Sequence, residues 1–157
     1  MRNFDKTSAS NLYLFLMLIY IYHFYETRNS FYLKYLAVGV ALIKGSSMLK
    51  EYLAEKFPNV THFKRPATAV NCGLYNNQNI SEAGRPGFPS VHLFITSYLL
   101  TGLFLLHPTK HLVFHTFMYA TMVWARSDCH TPTQMAAGTV LGVGFGLTFY
   151  KLFSNKI

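Results

Sequence analysis

The sequence predicts an all-α protein, an integral membrane helical bundle with about five transmembrane helices. Three observations carry that prediction. Hydrophobic residues make up 51% of the 157-residue chain and charged residues only 13%, about half the charged share usual for a soluble domain. Residues 7–25, 86–109 and 129–150 contain no Asp, Glu, Lys or Arg, and a helix needs roughly 20 mostly apolar residues to cross a bilayer's hydrocarbon. All connections between apolar stretches but one are short, as expected of a single domain of packed helices.

The first span, Thr7 to Tyr25, follows charged residues but precedes no small-residue cleavage site. It therefore reads as a retained helix, not a signal peptide. Ser30 to Met48 carries Lys34 near one end, where it can snorkel to the headgroups, and Lys44, which is expected to face protein or a wet cavity. Pro86 to Thr109 opens on "GFPSVH", and His111 to Ala125 is short and holds two histidines. The last span, Cys129 to Tyr150, carries glycines at 138, 142, 144 and 146, which permit close helix packing. A soluble helical bundle fits these span lengths less well.

The net charge of +8 comes from basic residues scattered among spans and loops, without a basic helix or nucleic-acid motif. Nucleic acid is therefore not an expected partner. Anionic headgroups and phosphate substrates suit this charge better.

The one long connection runs from Lys50 to Phe88. A long loop in a compact protein is usually functional or disordered. If five helices alternate in direction, this loop, the link from Arg126 to Thr133 and the N-terminus share one face. The opposite face holds the C-terminus with Arg28, Lys110, Lys151 and Lys156, and is expected to be cytoplasmic. Two N-x-Ser/Thr sequons, starting at Asn59 and Asn79, fall in the long loop. They suit a lumenal or external position, in the endoplasmic reticulum or another endomembrane.

Three clusters meet on that shared face: Lys64, Arg65 and Pro66; Ser90 and His92; and Arg126, Asp128, His130 and Gln134. Guanidinium groups present a planar fork that matches phosphate oxygens. A serine and backbone N–H groups at a helix start add donors where the helix dipole already favours an anion. Two histidines complete the chemistry: one neutral imidazole can attack phosphorus while a protonated one supplies the leaving oxygen with its proton. Such a site needs no metal or other cofactor.

The ordered set of Arg-Pro at Arg65, Pro-Ser-x-His at Pro89 to His92, and Arg126 followed by "HTPTQ" at His130 to Gln134 resembles the type 2 phosphatidic acid phosphatase superfamily. The Gln-containing ending is similar to its dolichyl diphosphate phosphatase-like branch. The resemblance covers about residues 46–142. It implies a membrane lipid phosphatase acting on a lipid phosphate or polyprenyl diphosphate through a phosphohistidine. His130 would be the nucleophile, Gln134 would orient its other ring nitrogen, and His92 would be the general acid. Arg65, Arg126 and Ser90 would hold phosphate oxygens, helped by Lys50 or else Lys56.

The chain departs from the family pattern in four places. Pro58 stands at the lysine position of the first motif, Val91 replaces the glycine before His92, Ala125 replaces a serine, and the link from Arg126 to His130 is two residues short. A β-branched residue narrows the backbone, and two residues are more than half a helical turn, so the link is expected to be strained or reshaped. An alternative reading is therefore a catalytically impaired relative that binds lipid phosphates without hydrolysing them. Arg85 and Asp128 read as loop residues, and His23, His107, His111 and His115 as interfacial. Cys72 and Cys129, the only cysteines, form a disulfide in an oxidising compartment or stay free thiols in a reducing one. A two-Cys, two-His zinc site with His92 and His130 is the outlying alternative.

Overall fold

The computed structural model describes residues 9, 11–70, 72, 80–108 and 112–154. The Asn-rich run at 73–79 with the Asn79 sequon, Lys110, His111 and Lys156 lie outside them. Among the described residues the fold is five α-helices: α1 (Leu12–Thr27), α2 (Ser30–Lys56), α3 (Val91–Leu106), α4 (Leu112–Arg126) and α5 (Pro132–Ser154). A short 3-10 turn, Thr61–Phe63, lies in the long connection.

Local chemistry sets the helix ends. α1 stops at Arg28, whose left-handed backbone (φ 56°) lets its N–H donate to the Phe24 carbonyl. Asn29 then starts α2 by accepting the Phe31 N–H, 2.9 Å away. α2 runs eight residues beyond the expected Met48 because all of "LKEYLAEK" but Tyr52 are good helix formers and no proline comes before Pro58. α3 begins later than the apolar run does, because Gly87, Phe88 and Pro89 are non-helical and Ser90 occupies the N-cap position. Pro132 opens α5 as its first residue, where a missing N–H costs nothing.

The most extensive helix pair is α3 with α5. The reason is steric: a Cβ at Gly142 would run into the Phe94 carbonyl, and one at Gly138 would lie 2.5 Å from the Ser90 carbonyl. The two backbones touch because these residues are glycine. Gly144, by contrast, faces open space.

Three buried tyrosines join α1, α2 and α3. Tyr35 stacks on Tyr98 with ring centres 4.2 Å apart and on Tyr20 at 5.5 Å. Their hydroxyls donate to the carbonyls of Leu99, Tyr98 and Tyr35 at 2.7–2.9 Å, so burial leaves no phenol unsatisfied.

Only α5 is both long and apolar enough to cross a bilayer among the described residues. The shorter α3 is apolar too but has 16 residues. The expectation of five spans is thus met as five helices, with one clear span.

Candidate active site

The long connection folds back on itself at one end of the bundle. Arg65 N–H donates to the Arg85 carbonyl at 2.8 Å and Glu82 N–H to the Ala69 carbonyl at 2.8 Å, giving two antiparallel arms bridged at Lys64 with Pro86 and at Val70 with Ser81. A disulfide joins Cys72 to Cys129, with a Cα–Cα distance of 5.6 Å. It ties this loop to the α4–α5 link. The disulfide leaves the zinc alternative without its thiolates.

The link from Arg126 to His130 is reshaped. α4 ends at Arg126, and the N–H groups of both Cys129 and His130 donate to its carbonyl at 3.0 and 3.1 Å. His130 therefore follows Arg126 across one hydrogen-bonded turn. A turn replaces the longer family loop.

Thr131 to Gln134 form a capping box at the start of α5. The Thr131 hydroxyl accepts the Gln134 N–H at 3.3 Å, and Gln134 Oε1 accepts the Thr131 N–H at 3.2 Å. The same Oε1 lies 3.2 Å from His130 Nδ1. Gln134 Nε2 donates to the carbonyls of His62 and Lys64, each at 2.8 Å. Two carbonyls can only accept, so the amide nitrogen must face them and the oxygen must face His130. Nδ1 then carries the proton, and Nε2 keeps its lone pair. Gly87 has no side chain because a Cβ there would lie 2.9 Å from Gln134 Oε1.

The cations gather around this histidine. Arg126 is fully buried and its Nη2 donates to the Cys72 carbonyl at 2.7 Å. Arg65 Nη1 pairs with Glu82 Oε2 at 2.8 Å. Lys50 and Arg65 line a cavity of about 220 Å³ together with Tyr13, Val91 and His92. Burial, reinforced by Arg65 and Arg126, lowers Lys50 to about 8. Burial and then Arg65 lower Arg126 to about 10. Burial also lowers Arg65, against the opposing pull of Glu82. His130, in the link before α5, is held well below the usual imidazole range by burial and then by Arg126, Arg65 and Lys50. It is neutral at pH 7, as a nucleophile must be.

His92, the second residue of α3, meets the ring of Tyr13 edge-on at 5.4 Å. It interacts electrostatically with Arg126, His130, Lys50 and Arg65. Its Nε2 and the Ser90 hydroxyl are buried without a hydrogen-bond partner among the described residues. Val91 has no positive φ. It is the first residue of α3 and lines the cavity.

The structure thus brings together Lys50, Arg65, Ser90, His92, Arg126, His130 and Gln134. Lys56 is left out: six residues along α2 from Lys50 turn it about 240° around the axis, and it is exposed at the helix end. Asp128 is exposed and its carbonyl accepts the Thr68 hydroxyl. Three features escaped the sequence reading. Glu82 and Tyr13 carry no motif signal, being brought in by loop folding and by α1. The capping box was legible in "TPTQ".

Neither curated proteins nor solved structures give a significant match to the chain. The family comparison does: the model described as "PAP2 superfamily" matches residues 30–157. The match takes in every charged and imidazole group just described and omits only the N-terminal segment with α1, so the chain belongs to the PAP2 superfamily, for which phosphatase-type chemistry is the general rule.

Proposed function

We propose that the protein is a multi-pass membrane phosphatase that hydrolyses a lipid phosphate or isoprenoid diphosphate, without a metal, through a phosphohistidine on His130. The observation that carries this reading is the hydrogen bonding of Gln134, which puts the proton of His130 on Nδ1 and leaves Nε2 its lone pair, on a ring that feels the charges of Arg126, Arg65 and Lys50.

His130 Nε2 attacks the terminal phosphorus, and the bond from that phosphorus to the leaving oxygen, of the lipid alcohol or of the lipid monophosphate, breaks as protonated His92 gives that oxygen its proton. A water, deprotonated by His92, then attacks the phosphohistidine, freeing inorganic phosphate and regenerating both imidazoles. Lys50, Arg65 and Arg126 balance the charge on the phosphoryl oxygens throughout. The His-Thr-x-x-Gln ending at Gln134 resembles that of the dolichyl diphosphate phosphatase-like branch, which supports isoprenoid diphosphates as the favoured substrates. Residues exposed on every helix, among them Leu18, Val40, Phe104, Phe117, Trp124 and Val140, suit a lipid-facing surface with five spans. The disulfide suits an oxidising, lumenal or external site.

Phosphate release from lipid phosphates and polyprenyl diphosphates by detergent-purified protein tests this. Activity should survive chelator and fall by about a thousandfold or more in His130→Ala. A second reading, a lipid-phosphate binder without turnover, draws on the existing partners of Arg65 and Arg126 and on Val91 in the cavity lining. No release from any of these substrates by the wild type would select it.

A further inference from the structure

We propose that Glu82 is a built-in counter-anion of the phosphate site, which limits its affinity for phosphate and so hastens release of the phosphate product. The proposal rests on the phosphate-binding part of the reading above.

Glu82 lies in the returning arm of the long loop. Its backbone N–H is fixed on the Ala69 carbonyl, and its side chain is 8% exposed against 11% for that of Arg65, its partner at 2.8 Å. Its carboxylate lies within salt-bridge distance of the Arg65 guanidinium. That guanidinium is also the one lining the 220 Å³ cavity. The Glu82 charge also reaches Lys50 and Arg126 favourably, and at Lys50 it outweighs that of Glu51. Glu82 therefore offsets each of three cations that repel one another.

Two consequences follow from Coulomb's law in a poorly hydrated site. Before substrate arrives, Glu82 makes the crowding of Lys50, Arg65 and Arg126 tolerable. When phosphate is bound, the carboxylate repels it and competes for Arg65. Without Glu82 the site carries one more uncompensated positive charge, and the product would be held more tightly.

The carboxylate acts through Arg65, so it is a positioning residue whose removal should strengthen binding. A merely structural residue would do the opposite when removed. The full-length protein in detergent is titrated calorimetrically with inorganic phosphate, as wild type, Glu82→Asp and Glu82→Gln. The affinities should rise in that order, by about threefold for Asp, whose shorter side chain loosens the pair, and about tenfold for Gln. KM and kcat should both fall in Glu82→Gln, the latter because product leaves slowly.

If Glu82→Gln does not fold, Glu82→Asp carries the test alone. Unchanged or weaker phosphate binding in a folded variant, or none in any of the three proteins, overturns the proposal. Lipid phosphate turnover is scored separately. Tighter phosphate binding without turnover leaves the counter-anion role standing and removes the phosphatase. Turnover with phosphate affinity indifferent to Glu82 does the reverse.

Discussion

The two histidines and the three cations are delivered to the site by different kinds of structure. His92 and His130 stand at the starts of α3 and α5, whose backbones touch through Gly138 and Gly142. Lys50, Arg65 and Arg126 come from the C-terminal part of α2, a loop and the end of α4, which packs chiefly on α3. The loop and the two arginines are held by a disulfide, the Arg65–Glu82 ion pair, and hydrogen bonds to Gln134 and the Cys72 carbonyl. Close packing cannot bring like charges together, because each adds repulsion and a desolvation penalty. Covalent and polar ties can. The reacting pair is thus placed by steric fit and the anion-holding set by individually breakable links.

The largest effect is expected where the steric seam is broken. Gly142→Leu puts a side chain onto the Phe94 carbonyl and should cost more than about 3 kcal/mol, seen as loss of folded protein in detergent by thermal melting. Next comes Gln134→Glu, which turns an amide donor into a carboxylate oxygen facing two carbonyls. It should destabilise by about 2–4 kcal/mol and cut phosphate release by about a hundredfold, measured on protein that remains folded.

Reducing the disulfide, which closes a sequence separation of 57 residues, should lower stability by about 2–4 kcal/mol. A thermal melt with and without reductant checks this, and Cys72→Ser with Cys129→Ser should match the reduced protein. The smallest effect is at Lys50. Its ordinary value of 10.5 falls to about 8, so its charge is present below pH 8 and lost above. Phosphate affinity should weaken about threefold to tenfold from pH 7 to 9, and Lys50→Met should flatten that change. Stability of the phosphate-free protein should move oppositely, rising with pH from about 8 to 10.5 as the unfolded chain holds the extra proton.

This contrast also separates what was legible in the sequence. The seam was: apolar run lengths and glycines at helical spacing announce five packed helices and a tight α5. The motif order named the histidines and arginines. The ties were not legible. Nothing about Glu82 in "ISEAGRP" says that it will meet Arg65, because the encounter depends on how the loop folds back. The cysteines left disulfide, thiols and zinc open, since spacing alone does not report distance. Motif spacing favoured Lys56 and helical context Lys50, and the choice between them became clear only once α2 was seen to continue through both. The short link was expected to reshape, and a single turn is how it does so.

The capping box of α5 also shapes how the protein tolerates mutation. Gln134 starts a helix, anchors two loop carbonyls and sets which nitrogen of His130 holds a proton. Position 134 therefore offers no gradual route to altered activity. In a saturation library its substitutions should fall into two groups, intact and lost, while those at Lys50 grade smoothly between.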